Sequence, residues 1–272
     1  MKKSLISIFI FAFVHTANSG NDNYSIGARA SGMSNASVAL NDVWSANQNQ
    51  AGLGFVKNYS SGVYYENKFL LNELSLKAAV AAIPIKGGTF GLELSNYGYS
   101  LYKESKYGVS FAKAFGDKFS VGIAMDYLST KIADGYGNKG VAVAEIGLQS
   151  KPIKGLNIGV HIFNPTRTKL ANYNNERVPT IFRLGGNYLF SEKVLLAVET
   201  EKDMSQKAIF KIGIEYLPVK ELYIRTGIST FPTMNSFGFG INLKNFKMDL
   251  SSNYNQVLGF SPQFGLTYIF NK

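Results

Sequence analysis

The sequence predicts an all-β protein: a transmembrane, antiparallel β-barrel of about fourteen strands, preceded by an N-terminal segment that is not strand. Three observations carry this. Apolar residues alternate with small or polar ones in segment after segment, as in Phe237-Gly238-Phe239-Gly240-Ile241-Asn242-Leu243, and a strict period of two means strands with one apolar face. The opposite face holds Gly, Asn, Arg and Glu rather than apolar bulk. A soluble sandwich buries its apolar faces against a second sheet, whereas a membrane barrel turns them to lipid and keeps a polar lumen. The third observation is at the N-terminus. A basic Lys2-Lys3, an apolar run from Leu5 to Val14 and small residues at Ala17-Asn18-Ser19 before Gly20 read as a signal peptide over residues 1–19, too short to cross a membrane as a helix. No later stretch is long and apolar enough for a membrane helix. An exported chain of alternating strands points to the bacterial outer membrane.

The elements follow in order. Residues 20–56 are rich in small side chains, and Asp42 to Leu53 reads as a short helix with Asp42 as N-cap and Gly52 as stop. The barrel, residues 57–272, is expected as Ser60–Asn67, Glu73–Ile83, Thr89–Tyr99, Lys106–Phe115, Lys118–Lys131, Gly140–Lys151 and Leu156–Phe163 in its first half. Its second half is expected as Thr180–Phe190, Lys193–Glu201, Lys207–Leu217, Leu222–Thr230, Ser236–Leu243, Phe246–Tyr254 and Gln263–Phe270. Tight turns at Lys86-Gly87-Gly88, Gly116-Asp117 and Lys244-Asn245 imply hairpins. Longer loops at Ala133–Lys139, Asn164–Pro179 and Phe231–Asn235 alternate with them, as external loops alternate with periplasmic turns. The loop Asn164–Pro179 is the candidate for an external or pore-folded segment.

Side-chain parity assigns the lumen. With the more apolar parity set toward lipid, Arg183, Glu199, Glu201, Lys211, Glu215 and Arg225 point inward, joined by Lys247 and Asp249. Neighbouring strands thus present opposite charges, which suits cross-strand pairs that brace the barrel, line a permeation path or hold the N-terminal segment.

Composition narrows the function. Tyr and Phe are abundant, at 16 and 20, and suit interfacial girdles. With no cysteine, disulfides, Cys-ligated zinc and thiol catalysis are excluded. The formal net charge is +10, of which Lys2 and Lys3 contribute two; the remaining cations are scattered over turns and strand ends. That distribution suits lipopolysaccharide phosphates and outer-membrane lipid better than nucleic acid.

Gly27-Ala28-Arg29-Ala30-Ser31-Gly32-Met33-Ser34-Asn35-Ala36-Ser37-Val38-Ala39-Leu40, followed by Asn49-Gln50-Ala51-Gly52-Leu53, resembles the N-terminal signature of FadL-type outer-membrane barrels. The match is to the branch with the PorV/PorQ proteins of type IX secretion in Bacteroidetes. In that family the second motif reads Asn-Pro-Ala-Gly-Leu; here Asn49 is followed by Gln50, and the chain is short for the family. The resemblance implies a fourteen-stranded barrel whose residues 20–56 fold as a hatch inside it. It further implies either inward movement of hydrophobic molecules through a lateral wall opening or a docking role beside a secretion machine. Arg29 would then pair with an inward carboxylate such as Glu199, Glu201 or Glu215.

Enzyme chemistry lacks its constellation. His161 is the sole histidine after the signal peptide, it points inward by parity, and a lone barrel histidine is read as structural. Gly238-x-Gly240 sits inside a strand rather than in a phosphate loop. Asp134-Gly135-Tyr136-Gly137-Asn138 lacks the further acidic ligands of a calcium loop and reads as a turn. No cofactor or metal is expected. The leading expectation is a FadL-like channel for hydrophobic or small amphipathic molecules, with Trp44, Leu53 and Phe55 lining a pocket between hatch and wall. The same Trp44 and Leu53 also read simply as the apolar face of a short helix. The alternatives are a PorV/PorQ-like accessory barrel bound to a secretion protein, and a plain structural barrel with a closed lumen.

Overall fold

The structure, a computed structural model, describes residues 23–133, 137–169 and 177–270. Residues 1–19, read from the sequence as a signal peptide, and residues 134–136, read as part of a glycine-rich turn, lie outside them. Fourteen strands close into one antiparallel barrel in simple up-and-down order, with β1 pairing both β2 and β14. They are β1 Ser60–Asn67, β2 Ser75–Ile85, β3 Gly88–Gly98, β4 Tyr102–Phe115, β5 Phe119–Ile132, β6 Gly137–Ser150 and β7 Leu156–Phe163. The circuit continues with β8 Ile181–Phe190, β9 Val194–Asp203, β10 Ile209–Val219, β11 Leu222–Ser229, β12 Met234–Leu243, β13 Phe246–Asn255 and β14 Gly259–Ile269. Several strands start earlier than the hydrophobic alternation suggests. β4 begins at Tyr102 rather than Lys106, and β14 at Gly259 rather than Gln263, because polar ends such as Lys103-Glu104-Ser105 stay on the ladder through pairing with Gly98, Tyr97 and Asn96. Ladder hydrogen bonds, not side chains, extend a strand beyond its apolar stripe.

The barrel is inside-out relative to a water-soluble one. Outward residues such as Val63, Leu94, Val109, Ile123, Leu184, Phe239 and Leu250 are more than half exposed. Inward ones such as Glu93, Asp126, Arg183, Glu199 and Arg225 are buried. No aqueous environment accepts a continuous apolar belt of this kind, and a closed ladder leaves no strand edge unsatisfied in hydrocarbon. The chain is a β-barrel of the bacterial outer membrane. Aromatic pairs, including Phe90–Phe111, Phe115–Phe119, Tyr188–Phe190 and Phe246–Tyr268, cluster at the end where the strands are joined by short turns. Both β1 and β14 have their terminal ends there, so this is the periplasmic rim.

The long connection between β7 and β8 folds back at the other end. β7 pairs with only the turn-side part of β6, from Glu145 opposite Phe163 to Ser150 opposite Ile158. Asn164 and Val178, at the two described ends of this loop, are buried and joined by an amide-to-carbonyl hydrogen bond of 2.9 Å.

The N-terminal segment departs from the single helix expected over Asp42 to Leu53. A short helix α1 covers Ala28–Ser31, a second, α2, covers Ser45–Gln48, and a 3-10 helix covers Gln50–Phe55. The break is at Asn49, whose extended backbone (φ −168°) lets its side-chain oxygen accept the N–H of Ala51 at 3.2 Å. Asp42 does not cap α2; its carboxylate accepts the N–H of Trp44 at 2.9 Å, one turn earlier. Gly52 lies within the 3-10 run rather than ending a helix.

Candidate functional site in the lumen

Residues 23–58 run through the barrel, and their side chains and main chain bond to inward residues on both walls. The wall of β3–β7 centres on Lys106. Its ammonium lies 3.2 Å from Glu93, 3.2 Å from Asp126 and 2.8 Å from Glu145. Glu145 also bonds His161 Nε2 at 2.8 Å and accepts the Gln50 amide, while Glu93 accepts the Asn47 amide at 2.8 Å. All of these side chains are buried; His161 is held through Nε2 alone, and its buried Nδ1 has no hydrogen-bond partner among the described residues.

The wall of β8–β13 alternates charges. Lys211 pairs with Glu199 at 3.0 Å and with Glu201 at 2.7 Å. The other oxygen of Glu199 accepts the main-chain N–H groups of Ser37 and Val38 at 2.7 and 2.8 Å. Arg183, nearly inaccessible, lies 3.6 Å from Glu201 and donates to the Gln48 carbonyl at 3.2 Å. Arg225 pairs with Glu215 at 2.6 Å and with Asp249 at 2.7 Å. Arg29, from α1, forms a two-pronged bond to Glu215 (3.0 and 2.8 Å) and a third to Asp42 at 3.0 Å. Of the three carboxylates open to Arg29 from the sequence, the fold supplies Glu215; Glu199 and Glu201 are engaged by Lys211.

Asn49 is buried against the wall and donates to the Val38 carbonyl at 2.7 Å, with Leu148 and Val160 carbonyls at 3.3 Å. Leu53 is fully buried in an apolar cluster with Trp44, Tyr64, Val80 and Ala112. Wall and segment touch through backbone: a Cβ on Gly122 would lie 2.4 Å from the Ala51 nitrogen.

Two cavities flank the segment. The outer one, about 440 Å³, is lined by Tyr24, Phe69, Tyr97, Ile181, Glu201 and Lys207, among others. The periplasmic one, about 230 Å³, is lined by Arg29, Trp44, Tyr223, Arg225, Ile241 and Lys247, among others. Of the residues expected in a pocket, Trp44 reaches this cavity. Leu53 is packed in the apolar cluster, and Phe55 lies beneath the Lys151 ammonium at 3.7 Å.

Glu93, Lys106, Asp126 and Glu145 are absent from the sequence candidates. The parity rule that places Arg225 inward also places these four inward, between outward Leu92 and Leu94, Met125 and Tyr127, and Ile146. Among the described residues no group of acidic residues and histidine is arranged to hold a metal ion.

No family model and no curated protein matches the sequence. The fold, by contrast, is widely shared. The toluene transporter TbuX of Ralstonia pickettii superposes with a TM-score of 0.69 at 12% identity, over 90% of this chain and 98% of that one. The toluene transporter TodX of Pseudomonas putida gives 0.68 at 12%, over 92% and 100%. A FadL homologue of Pseudomonas aeruginosa gives 0.60 at 14%, over 89% and 98%. At these identities the likeness establishes the fold alone, that of a fourteen-stranded outer-membrane barrel.

Proposed function

We propose that the chain is an outer-membrane channel for hydrophobic or small amphipathic molecules, in which residues 20–56 act as a hatch between an outer and a periplasmic vestibule. The observation that carries this is the pair of cavities at opposite ends of the lumen, separated by the N-terminal segment. Both linings mix aromatic and aliphatic surface with charge. In the outer vestibule the Lys68 ammonium stands 4.1 Å over the Tyr24 ring. A guest with an apolar body, with or without a polar end, finds a complement in such a lining, which a sugar does not. The toluene transporters of the same fold lend the reading support.

The absence of cysteine makes the test clean. Ser34 on the segment and Ser236 on β12 have hydroxyls 2.8 Å apart. The double variant Ser34→Cys/Ser236→Cys is expected to cross-link the segment to the wall when oxidised. Uptake of labelled toluene and octanoate is measured in cells carrying the wild type or the double variant. We expect the wild type to exceed the empty-vector rate, oxidation of the variant to abolish the excess, and reduction to restore it. Uptake indifferent to the cross-link would remove the hatch. A wild type no faster than empty vector, co-purifying with a stoichiometric secretion protein, would replace the channel with the accessory role.

A further inference from the structure

Lysines ring the periplasmic rim. Each of the six short turns at this end carries a lysine: Lys86, Lys118, Lys151, Lys193, Lys220 and Lys244. Most lie at an open edge, but one place is concave. Between the exit of the N-terminal segment and the β2–β3 turn lies a groove of about 600 Å³, lined by Lys57, Lys86 and Lys113 together with Val56, Tyr59 and Ile85. No carboxylate lines it. Lys151 adjoins this group: burial lowers its ammonium below the ordinary lysine range, the Lys57 charge lowers it further, and Asp117 opposes both.

In the lumen, charge is matched. Lys106, Lys211, Arg29 and Arg225 all have carboxylate partners, and even the exposed Lys154 stands 3.8 Å from Glu192. The groove gathers three lysines with no carboxylate among its described lining residues. Its apolar side continues onto the outer wall, since Ile85 lines the groove and is itself nearly half exposed, beside the exposed Phe90. The rings of Phe90 and Phe111 lie 5.0 Å apart, tilted at 56°, and mark the headgroup level of the membrane.

We propose that this groove binds the phosphate headgroup of an anionic phospholipid of the inner leaflet, with its acyl chains lying on the outer wall along Ile85 and Phe90. The lysines supply the countercharge that the chain itself omits, and the open apolar side admits a lipid tail where a soluble anion would leave it bare. The inference does not depend on transport.

Purified protein in detergent is offered phosphatidylglycerol and phosphatidylcholine in equal amounts, and retained lipid is read by native mass spectrometry. Phosphatidylglycerol is expected to be retained in preference. Each lysine near an anionic headgroup contributes a factor of roughly five, so Lys57→Gln/Lys86→Gln should reduce that preference by about 25-fold. Both side chains are exposed, so the barrel should fold unchanged, and Lys154→Gln, at another turn, should retain the wild-type preference. Equal retention of the two lipids, or a double variant indistinguishable from wild type, would overturn the proposal. So would full displacement of the lipid by inorganic phosphate, which would make this a site for a soluble anion.

Discussion

The wall of β3–β7 sets three carboxylates on the single ammonium of Lys106, whereas the wall of β8–β13 gives nearly every carboxylate its own cation. The register explains the difference. On the second wall the partners stand directly opposite one another: Arg183 faces Glu201, Lys211 faces Glu199, and Glu215 faces Arg225. On the first wall they are diagonal. Lys106 faces Ser95 and Leu128, while Glu93 and Asp126 both face Gly108. A diagonal neighbour is reached only by a long side chain, so the lysine serves as the hub and the carboxylates as spokes. One wall is a chain of linked pairs with as many cations as carboxylates, and the other is a single shared knot. They should therefore respond differently to the loss of one residue.

The largest effect is expected at the knot. Lys106→Met leaves Glu93, Asp126 and Glu145 buried together with no lysine or arginine paired to them, and removing one partner of a buried ion pair costs about 3–5 kcal/mol. The urea midpoint of the folded barrel, followed by its faster-migrating gel band, should fall by a corresponding amount. Adding Asp126→Asn should recover part of the loss, because it removes one carboxyl group from the uncompensated cluster. If Lys106→Met unfolds at the wild-type midpoint, the cluster does not hold this wall.

The second effect tests packing rather than charge. Gly122 lies on β5 where the 3-10 helix crosses the wall. A Cβ there would meet the Ala51 nitrogen and the Gln50 carbonyl carbon at 2.4 Å, and backbone on both sides cannot yield as a side-chain end would. Gly122→Val should displace the N-terminal segment at a cost of about 1–3 kcal/mol. Limited proteolysis is the measurement: cleavage within residues 23–58 should accelerate while the barrel band persists. An uncleaved segment would mean that the contact at Gly122 does not position it.

These two walls also differ in how far the sequence reveals them. Alternation exposes the inward parity of Arg183, Lys211, Glu215 and Arg225, and the opposite signs on consecutive hairpin strands make direct partners legible. The diagonal knot is not legible in that way, since Glu93, Lys106, Asp126 and Glu145 stand on four different strands with no opposite charge in register. The strand count is readable because every strand carries its own apolar stripe. The break at Asn49 is not, because it depends on carbonyls of Val38, Leu148 and Val160 that only the closed barrel brings to its amide. Gly240 illustrates the same limit: it reads as part of an apolar-and-small alternation. In the barrel a Cβ there would strike both Arg225 and Asp249, at 2.6 and 2.4 Å, across the strand that separates them.

The smallest effect on stability is expected from Arg29→Ala, and it sharpens the contrast most. Arg29 is the segment's own contribution to the second wall, with side-chain exposure of 24% that lets water screen its pairs. Its removal leaves Glu215 with Arg225, and Arg225 with Asp249, so no carboxylate of the wall is stranded. A loss of about 1 kcal/mol follows, well below that of Lys106→Met. What the variant does remove is the tie between α1 and β10. The urea midpoint should therefore stay near the wild type while single-channel conductance and protease access to residues 23–58 both rise. A large fall in the midpoint with no change in access would show that Arg29 braces the barrel rather than the segment. The two walls would then differ in geometry but not in their tolerance of loss.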